Sequence, residues 1–104
     1  MNIQFNTANS INGSETMNTR LSEIIAEKLS RFSDYITRIE AHLSDSNGQK
    51  EGQNDKQCVL EARLEGLQPI AVTSNANTYD EAVTGAISKL KSSLDSTIGK
   101  LRTH

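Results

Sequence analysis

The chain has 104 residues, of which 35% are hydrophobic, 23% charged and 4% aromatic, so we expect a single small domain over residues 1–104 that is too apolar to remain disordered. Its net charge of -2 and a pI near 5.6 argue against a strongly basic nucleic-acid-binding domain, whose pI typically exceeds about 9. The charge is uneven, because residues 1–85 carry seven basic against twelve acidic side chains, whereas residues 86–104 carry four against one.

The amino-terminal part of the chain predicts a strand followed by a helix. Ile3 and Phe5 alternate with polar residues, which indicates a strand over residues 2–7 with one buried face. After a polar turn, Ser14 is a candidate cap for a helix. Apolar residues then recur at helical spacing, which predicts that this helix runs over residues 14–34.

The middle of the chain predicts three more strands. Residues 38–44 and 58–65 each alternate apolar with polar side chains, as in strands with one buried face. Residues 45–56 between them contain no large apolar side chain, so we expect a long mobile hairpin loop there. A tighter turn ends at Pro69, and the fourth strand is predicted over residues 70–75.

A second helix is predicted over residues 79–101. Thr78 and Glu81 have the spacing of a capping box, and an apolar stripe follows them. The predicted order is therefore β-α-β-β-β-α. One four-stranded sheet with both helices packed on one face buries all of these apolar faces, so we predict an α+β fold.

No motif in the chain indicates catalysis. It contains no Walker loop, no glycine-rich dinucleotide fingerprint and no zinc-protease or serine-hydrolase signature. Cys58 shares the inward side of its strand with Leu60, so we expect an inert core thiol in preference to a redox sensor. His42 lies on the outward side of its strand and is expected in solvent. We therefore predict that the protein is not an enzyme and has no small-molecule substrate.

Nothing in the sequence indicates secretion, membrane insertion or a bound metal. The first residues lack the basic and apolar regions of a secretory signal. Apolar runs never exceed three residues, far below the roughly 20 that a membrane-spanning helix needs. One cysteine cannot form an internal disulfide, and two distant histidines offer no metal-ligand spacing. We expect a cytoplasmic protein without cofactors.

Basic residues flank the apolar stripes of both predicted helices. On the first helix they are Lys28 and Arg31. On the second they are Lys89 and Lys100 at one border of the stripe and Lys91 and Arg102 at the other. In one interpretation these side chains are solvated, and those near helix carboxyl ends only complement the helix dipole. In the other, the two helices form a groove with positive rims that suits a phosphate backbone. The spacing of the residues leaves both interpretations open.

Four segments of the chain resemble one known family. MNIQFNT, KLSRFSDYITRIEAHL, LEGLQPIAV and TYDEAVTGAISKLKSSL are similar to the ribosome hibernation promoting factors and ribosome-associated inhibitors, also called sigma-54 modulation proteins. The order of elements is shared with double-stranded RNA-binding modules. The resemblance implies a short, non-catalytic factor of translation regulation under stress. Such factors bind the small ribosomal subunit and its rRNA in the channel for mRNA and tRNA.

The resemblance also implies roles for particular basic residues. Lys28 and Arg31 match basic positions near the end of the family's first helix, and Lys89 matches the lysine of its KL pair. Lys100 matches a basic position near the end of the second helix. Lys91 and Arg102 are basic but fall outside the family positions. All six are therefore candidate RNA-binding residues.

The chain departs from the family pattern in two respects. The family's dense basic run after the KL pair is replaced by SSLDSTIG, in which Asp95 has the opposite charge. The chain also ends where longer members continue into an extension that pairs ribosomes, so we expect a short-form factor. A homodimer is possible but not implied.

A second hypothesis gives the same fold a different role. The chain would then be a protein-interaction module without RNA binding, and it would use a strand edge and the charged outer face of the sheet. The residues expected on that face are Arg38, Glu40, Glu61, Arg63 and Glu65.

Overall fold

The chain forms one four-stranded sheet that is covered on one face by two helices. The computed structural model describes residues 1–7, 15–45 and 55–102. Within these ranges the elements are, in chain order, β1 (Asn2–Thr7), α1 (Glu15–Lys28), a 3-10 turn (Ser30–Phe32), β2 (Ile36–Asp45), β3 (Lys56–Leu64), β4 (Ile70–Ala76) and α2 (Tyr79–Arg102). The predicted α+β order β-α-β-β-β-α is confirmed.

The four strands lie in the sheet in chain order. β1 pairs parallel to β2, with Ile3 opposite Ile39, whereas β2 with β3 and β3 with β4 pair antiparallel. In this register Ile39 faces Ala62, and both side chains are fully buried. Because side chains alternate between the two faces of a strand, one face of the sheet carries the core and the other carries polar residues.

The helices bury their apolar stripes against that one face of the sheet. The stripe of α1 contributes Leu21 and Ile25, and the longer α2 contributes Leu90 and Leu94 among others, all without exposed surface. These residues belong to one continuous core with the inward residues of β2 and β3. The packing of two helices on one sheet face was predicted from the same apolar periodicity.

The first helix is shorter than predicted. The sequence predicts a helix over residues 14–34, but α1 ends at Lys28 and a 3-10 turn follows. Leu29 leaves helical geometry at φ −103 and ψ 11. Leu29 and Phe32 are nevertheless both buried. The tighter turn keeps these two apolar residues on the core side, so their spacing imitates a continuing helix.

The second helix begins as predicted. The backbone N–H of Glu81 donates a 3.1 Å hydrogen bond to the hydroxyl oxygen of Thr78, which caps the helix. Two other predictions, the cap at Ser14 and the mobile loop, concern residues that lie wholly or mostly outside the described part of the chain. No helix in the described ranges is both long enough and apolar enough to cross a membrane.

Candidate nucleic-acid interface

The two helices lie side by side and run in the same direction. Near their amino-terminal ends, Arg20 of α1 and Asp80 of α2 form an ion pair at 2.7 Å. Just beyond the end of α1, Arg31 forms an ion pair at 2.9 Å with Asp95, which lies four turns further along α2. Because the contacts advance along both helices together, α1 and α2 are parallel.

A groove lies between the two helices on the surface away from the sheet. We call it the interhelical groove, and its lining residues are Ile24, Lys28, Thr84, Ile87, Ser88, Lys91, Ser92 and Asp95. The residues that α2 contributes recur at intervals of three and four, which places them on one face of that helix. The groove thus combines an apolar floor with two cations, three hydroxyl groups and one carboxylate.

A second depression continues from this groove toward the end of α2. This adjoining hollow is lined by Arg31, Phe32, Tyr35, Asp95, Ile98 and Gly99. The guanidinium of Arg31 lies 4.2 Å from the centre of the Phe32 ring, where a cation is attracted to the aromatic face. Asp95 lines both depressions, so its carboxylate marks the boundary between them.

The structure brings together three of the six candidate RNA-binding residues. Lys28 and Lys91 lie in the interhelical groove, and Arg31 lies in the adjoining hollow. Lys28 is exposed as the last residue of α1, where a cation also complements the helix dipole. The groove is therefore positive on both of its walls, with one lysine from each helix.

Lys89 lies on a different side of α2. Its Nζ donates a 2.6 Å hydrogen bond to the backbone carbonyl oxygen of Thr73 in β4. Positions 89 and 91 are two residues apart, which is about 200° around a helix, so Lys91 points toward α1 while Lys89 points toward the sheet edge. Lys89 does not line the interhelical groove.

The last two candidates lie at the carboxyl end of α2. Lys100 is exposed there and lines neither depression. Arg102 is the final residue of the helix, and its side chain lies outside the described part of the chain.

Sequence reasoning missed most of the groove's polar lining. Thr84 and Ser88 were not singled out, although Thr84, Ser88 and Ser92 follow one another at intervals of four residues and could have revealed a hydroxyl-bearing face. Asp95 was noted only for its opposite charge. Its ion pair with Arg31 joins two residues far apart in the chain, and no local pattern indicates such a contact.

The outer face of the sheet carries charges that are paired with one another. Arg38 and Arg63 contact the carboxylate of Glu40 at 3.0 and 3.2 Å, and Arg63 also contacts Glu61 at 3.2 Å. Burial alone would raise the pKa of Glu40, but the hydrogen bond from Arg63 and the charges of both arginines outweigh it and lower that pKa. The charges of this face are therefore largely neutralised within the protein.

The other candidates for chemistry are the single cysteine and a metal site. Cys58 is fully buried in the core, and burial raises the pKa of its thiol to about 12. It is therefore not a thiolate at neutral pH. Among the described residues, no three histidine, cysteine, aspartate or glutamate side chains group in a way that would hold a metal ion.

Comparison with known protein families gives a match over most of the chain. Residues 9–102 match the family described as Sigma 54 modulation protein / S30EA ribosomal protein, which confirms the predicted resemblance. No curated protein is similar enough to count as a match.

Two solved structures have a similar fold. The first is the N-terminal domain of Protein Y from Thermus thermophilus, at 15% identity and a TM-score of 0.73, covering 93% of this chain and 99% of that one. The second is a ribosomal subunit interface protein from Coxiella burnetii, at 20% identity and a TM-score of 0.73, covering 95% of this chain and 99% of that one. At these identities the likeness concerns the fold.

Proposed function

The chain belongs to the Sigma 54 modulation protein / S30EA ribosomal protein family, and on that basis we propose that it is a non-catalytic factor that binds the small ribosomal subunit. In this proposal the protein occupies the channel for mRNA and tRNA and blocks translation there. The structurally similar protein from Coxiella burnetii is a ribosomal subunit interface protein, which supports a ribosomal partner for this chain.

The observation that carries the proposal is the interhelical groove. Lys28 and Lys91 face each other from parallel helices, so a phosphate backbone entering the groove meets a cation on each wall. The hydroxyl groups of Thr84, Ser88 and Ser92 add hydrogen-bonding groups along the same wall. Such groups bind phosphate oxygens and the 2′-hydroxyls that distinguish RNA from DNA.

We assign the candidate residues to this interface in two groups. Lys28 and Lys91 bind phosphates in the groove, and Arg31 binds one in the adjoining hollow. Lys89, Lys100 and Arg102 contribute at the outer side and the carboxyl end of α2. For Lys89, an RNA contact requires that its amine leave the carbonyl oxygen of Thr73.

The modest charge of the interface predicts moderate salt dependence. Each phosphate contact contributes close to one unit to the slope of log affinity against log salt concentration. Because the groove and hollow contain only three of the candidate cations, we expect a slope of about two to three from this part of the interface. Shape and hydroxyl contacts then supply the remaining affinity.

The alternative function, a protein-interaction module that uses the outer sheet face, has less support. Four of the five charged residues expected on that face, all except Glu65, form ion pairs with one another. A partner would have to displace those pairs, which lowers the gain from a charged contact. By contrast, within the described part of the chain no such set of ion pairs neutralises Lys28 and Lys91 in the interhelical groove.

Cosedimentation with purified small ribosomal subunits tests the proposal. We expect the wild-type protein to pellet with the subunits at low salt and to be released at high salt. Lys28→Gln combined with Lys91→Gln should weaken binding by at least about tenfold, because two phosphate contacts are lost. Wild-type protein that stays in the supernatant at low salt would contradict the proposal.

A matched control variant distinguishes the loss of the groove cations from a general loss of positive charge. Arg38→Gln combined with Arg63→Gln lowers the net charge by the same amount but changes only the outer sheet face. We expect this variant to bind within about twofold of wild type, since long-range charge effects are largely screened at physiological salt. If the control loses as much affinity as the groove variant, binding does not depend on the groove. Circular dichroism verifies that both variants are folded.

A further inference from the structure

Asp95 occupies the point where the interhelical groove meets the adjoining hollow. Of the described residues that line these two depressions, it is the only acidic one. It lies four residues after Lys91 on α2, so the two side chains are neighbours on one face of the helix. An RNA backbone that followed the groove from Lys28 toward Arg31 would therefore pass a carboxylate.

The carboxylate of Asp95 already binds the guanidinium of Arg31. Nη2 of Arg31 lies 2.9 Å from Oδ2 of Asp95, and Nη1 lies 2.9 Å from Oδ1. This two-pronged geometry is the one that arginine uses to bind a phosphate group. In the free protein, Arg31 thus presents its phosphate-binding edge to an internal carboxylate.

We infer that Asp95 is an internal competitor of RNA phosphate for Arg31 and limits the affinity of the interface. The inference rests on the proposed function, because it takes RNA as the ligand of the groove. While the ion pair holds, Arg31 adds little to phosphate binding and Asp95 repels the backbone between the two depressions. When a phosphate displaces the carboxylate, Arg31 joins Lys28 and Lys91 in one positive row.

The exposure of the ion pair makes this exchange feasible. The side chains of Arg31 and Asp95 are 57% and 52% exposed, and ion pairs at such positions are weak. A phosphate can therefore replace the carboxylate without a large loss of stability. Asp95 lowers RNA affinity by this competition but does not abolish binding.

The chain contains a matched control for this inference. Arg20 and Asp80 form an ion pair of the same kind between the same two helices, at 2.7 Å and with side chains 51% and 53% exposed. Asp80 lines neither the interhelical groove nor the adjoining hollow. Asp80→Asn and Asp95→Asn change the net charge equally and each removes one interhelical ion pair.

The test measures binding of a fluorescently labelled RNA hairpin and of purified small ribosomal subunits over a series of salt concentrations. We expect Asp95→Asn to raise RNA affinity about three- to tenfold with a nearly unchanged salt slope, because Arg31 then binds the same phosphate without first releasing a carboxylate. Asp80→Asn should change affinity less than twofold. Equal effects of the two substitutions, or no gain from Asp95→Asn, would overturn the inference.

A double-substitution cycle tests the role of Arg31 itself. Arg31→Gln should cost more affinity in the Asp95→Asn background than in the wild-type background, where the carboxylate already occupies the guanidinium. Equal costs would show that Asp95 does not act through Arg31.

The two probes distinguish this inference from the proposed function. If the wild type fails to bind subunits while Asp95→Asn still exceeds Asp80→Asn on the RNA hairpin, the proposed function fails and the competition stands. If subunits are bound but Asp95→Asn gives no gain on either probe, the competition fails and the proposed function stands.

Discussion

The amine of Lys89 donates a 2.6 Å hydrogen bond to the backbone carbonyl oxygen of Thr73. This contact links α2 to β4, which is one of the two edge strands of the sheet. Lys91, only two residues further along, instead lines the interhelical groove with Lys28. Two lysines that are only two residues apart in the sequence therefore lie in different surroundings.

This difference predicts unequal effects of two similar substitutions. Lys91→Gln should weaken binding to small ribosomal subunits about threefold or more, because a groove cation is lost. Lys89→Gln should weaken it less, because its amine bonds to Thr73. Cosedimentation titrations of the two variants at one salt concentration measure both values. A larger loss from Lys89→Gln would show that the RNA lies against the sheet edge and outside the groove.

The packing of α2 on β4 predicts opposite effects of alanine at two glycines. A methyl group at Gly85 would collide with the hydroxyl of Ser74, which is buried, whereas at Gly99 nothing lies within 4 Å. Gly99→Ala should raise the free energy of unfolding by about 0.5–1 kcal/mol through helix propensity. Gly85→Ala should lower it by about 1 kcal/mol or more, because the buried site is overpacked.

Chemical denaturation measures these changes in the free energy of unfolding. Repeating Gly85→Ala in a protein that also carries Ser74→Ala identifies the cause of its effect. In a Ser74→Ala protein the colliding hydroxyl is absent, so Gly85→Ala should cost much less there. If Gly85→Ala is as destabilising in that background, the close approach of α2 to β4 is not its cause.

The buried cysteine predicts a folding-dependent reaction with thiol reagents. Burial raises the pKa of Cys58 to about 12, so its thiolate is scarce at pH values near neutrality. We expect no measurable modification of the native protein over minutes, and complete modification after denaturant is added. The chain has one cysteine, so the signal reports this site alone. Rapid modification of the native protein would contradict its burial.

The ion cluster at the open ends of β2 and β3 predicts a loss of stability in alkali. Lys56 contacts Asp45 at 2.8 Å and Asp55 at 3.3 Å. The hydrogen bond with Asp45 is the main cause that raises the pKa of Lys56. A raised pKa in the folded state means that the stabilisation is complete below the unfolded value of about 10.4 and is lost as the pH rises through the folded value.

Thermal unfolding of wild type and Lys56→Met measures this contribution. The difference in Tm between the two proteins should be constant from neutral pH to about pH 9 and should shrink above about pH 10.4. Both proteins are also compared in a Tyr79→Phe background, because the ring of Tyr79 lies 5.9 Å from Nζ of Lys56 and its phenol loses its proton in the same alkaline range. A difference that persists unchanged at high pH would show that the charge of Lys56 does not stabilise the fold.

The strands and the second helix were predictable because their apolar residues recur with a clear period. Ile3 and Phe5 predicted β1 with its observed bounds, and Thr78 with Glu81 predicted the start of α2. The end of α1 was not predictable in the same way. Leu29 and Phe32 keep the helical spacing through the 3-10 turn, so periodicity alone could not reveal where the helix ends.

The candidate site was predictable only in part. The sequence placed Lys89 and Lys91 on opposite borders of one helix, but the border that faces α1 depends on how the helices pack together. The parallel direction of the helices and the pairing of Arg31 with Asp95 are likewise tertiary properties. Contacts between residues that are distant in the chain leave no trace in local spacing.

An electron cryomicroscopy structure of the protein bound to the small ribosomal subunit tests the central claim most directly. We predict density in the channel for mRNA and tRNA, with the interhelical groove against rRNA, Lys28 and Lys91 at phosphates, and the outer face of the sheet turned away from the rRNA. A protein bound outside that channel, or one that contacts rRNA through the outer sheet face, would contradict the proposed function.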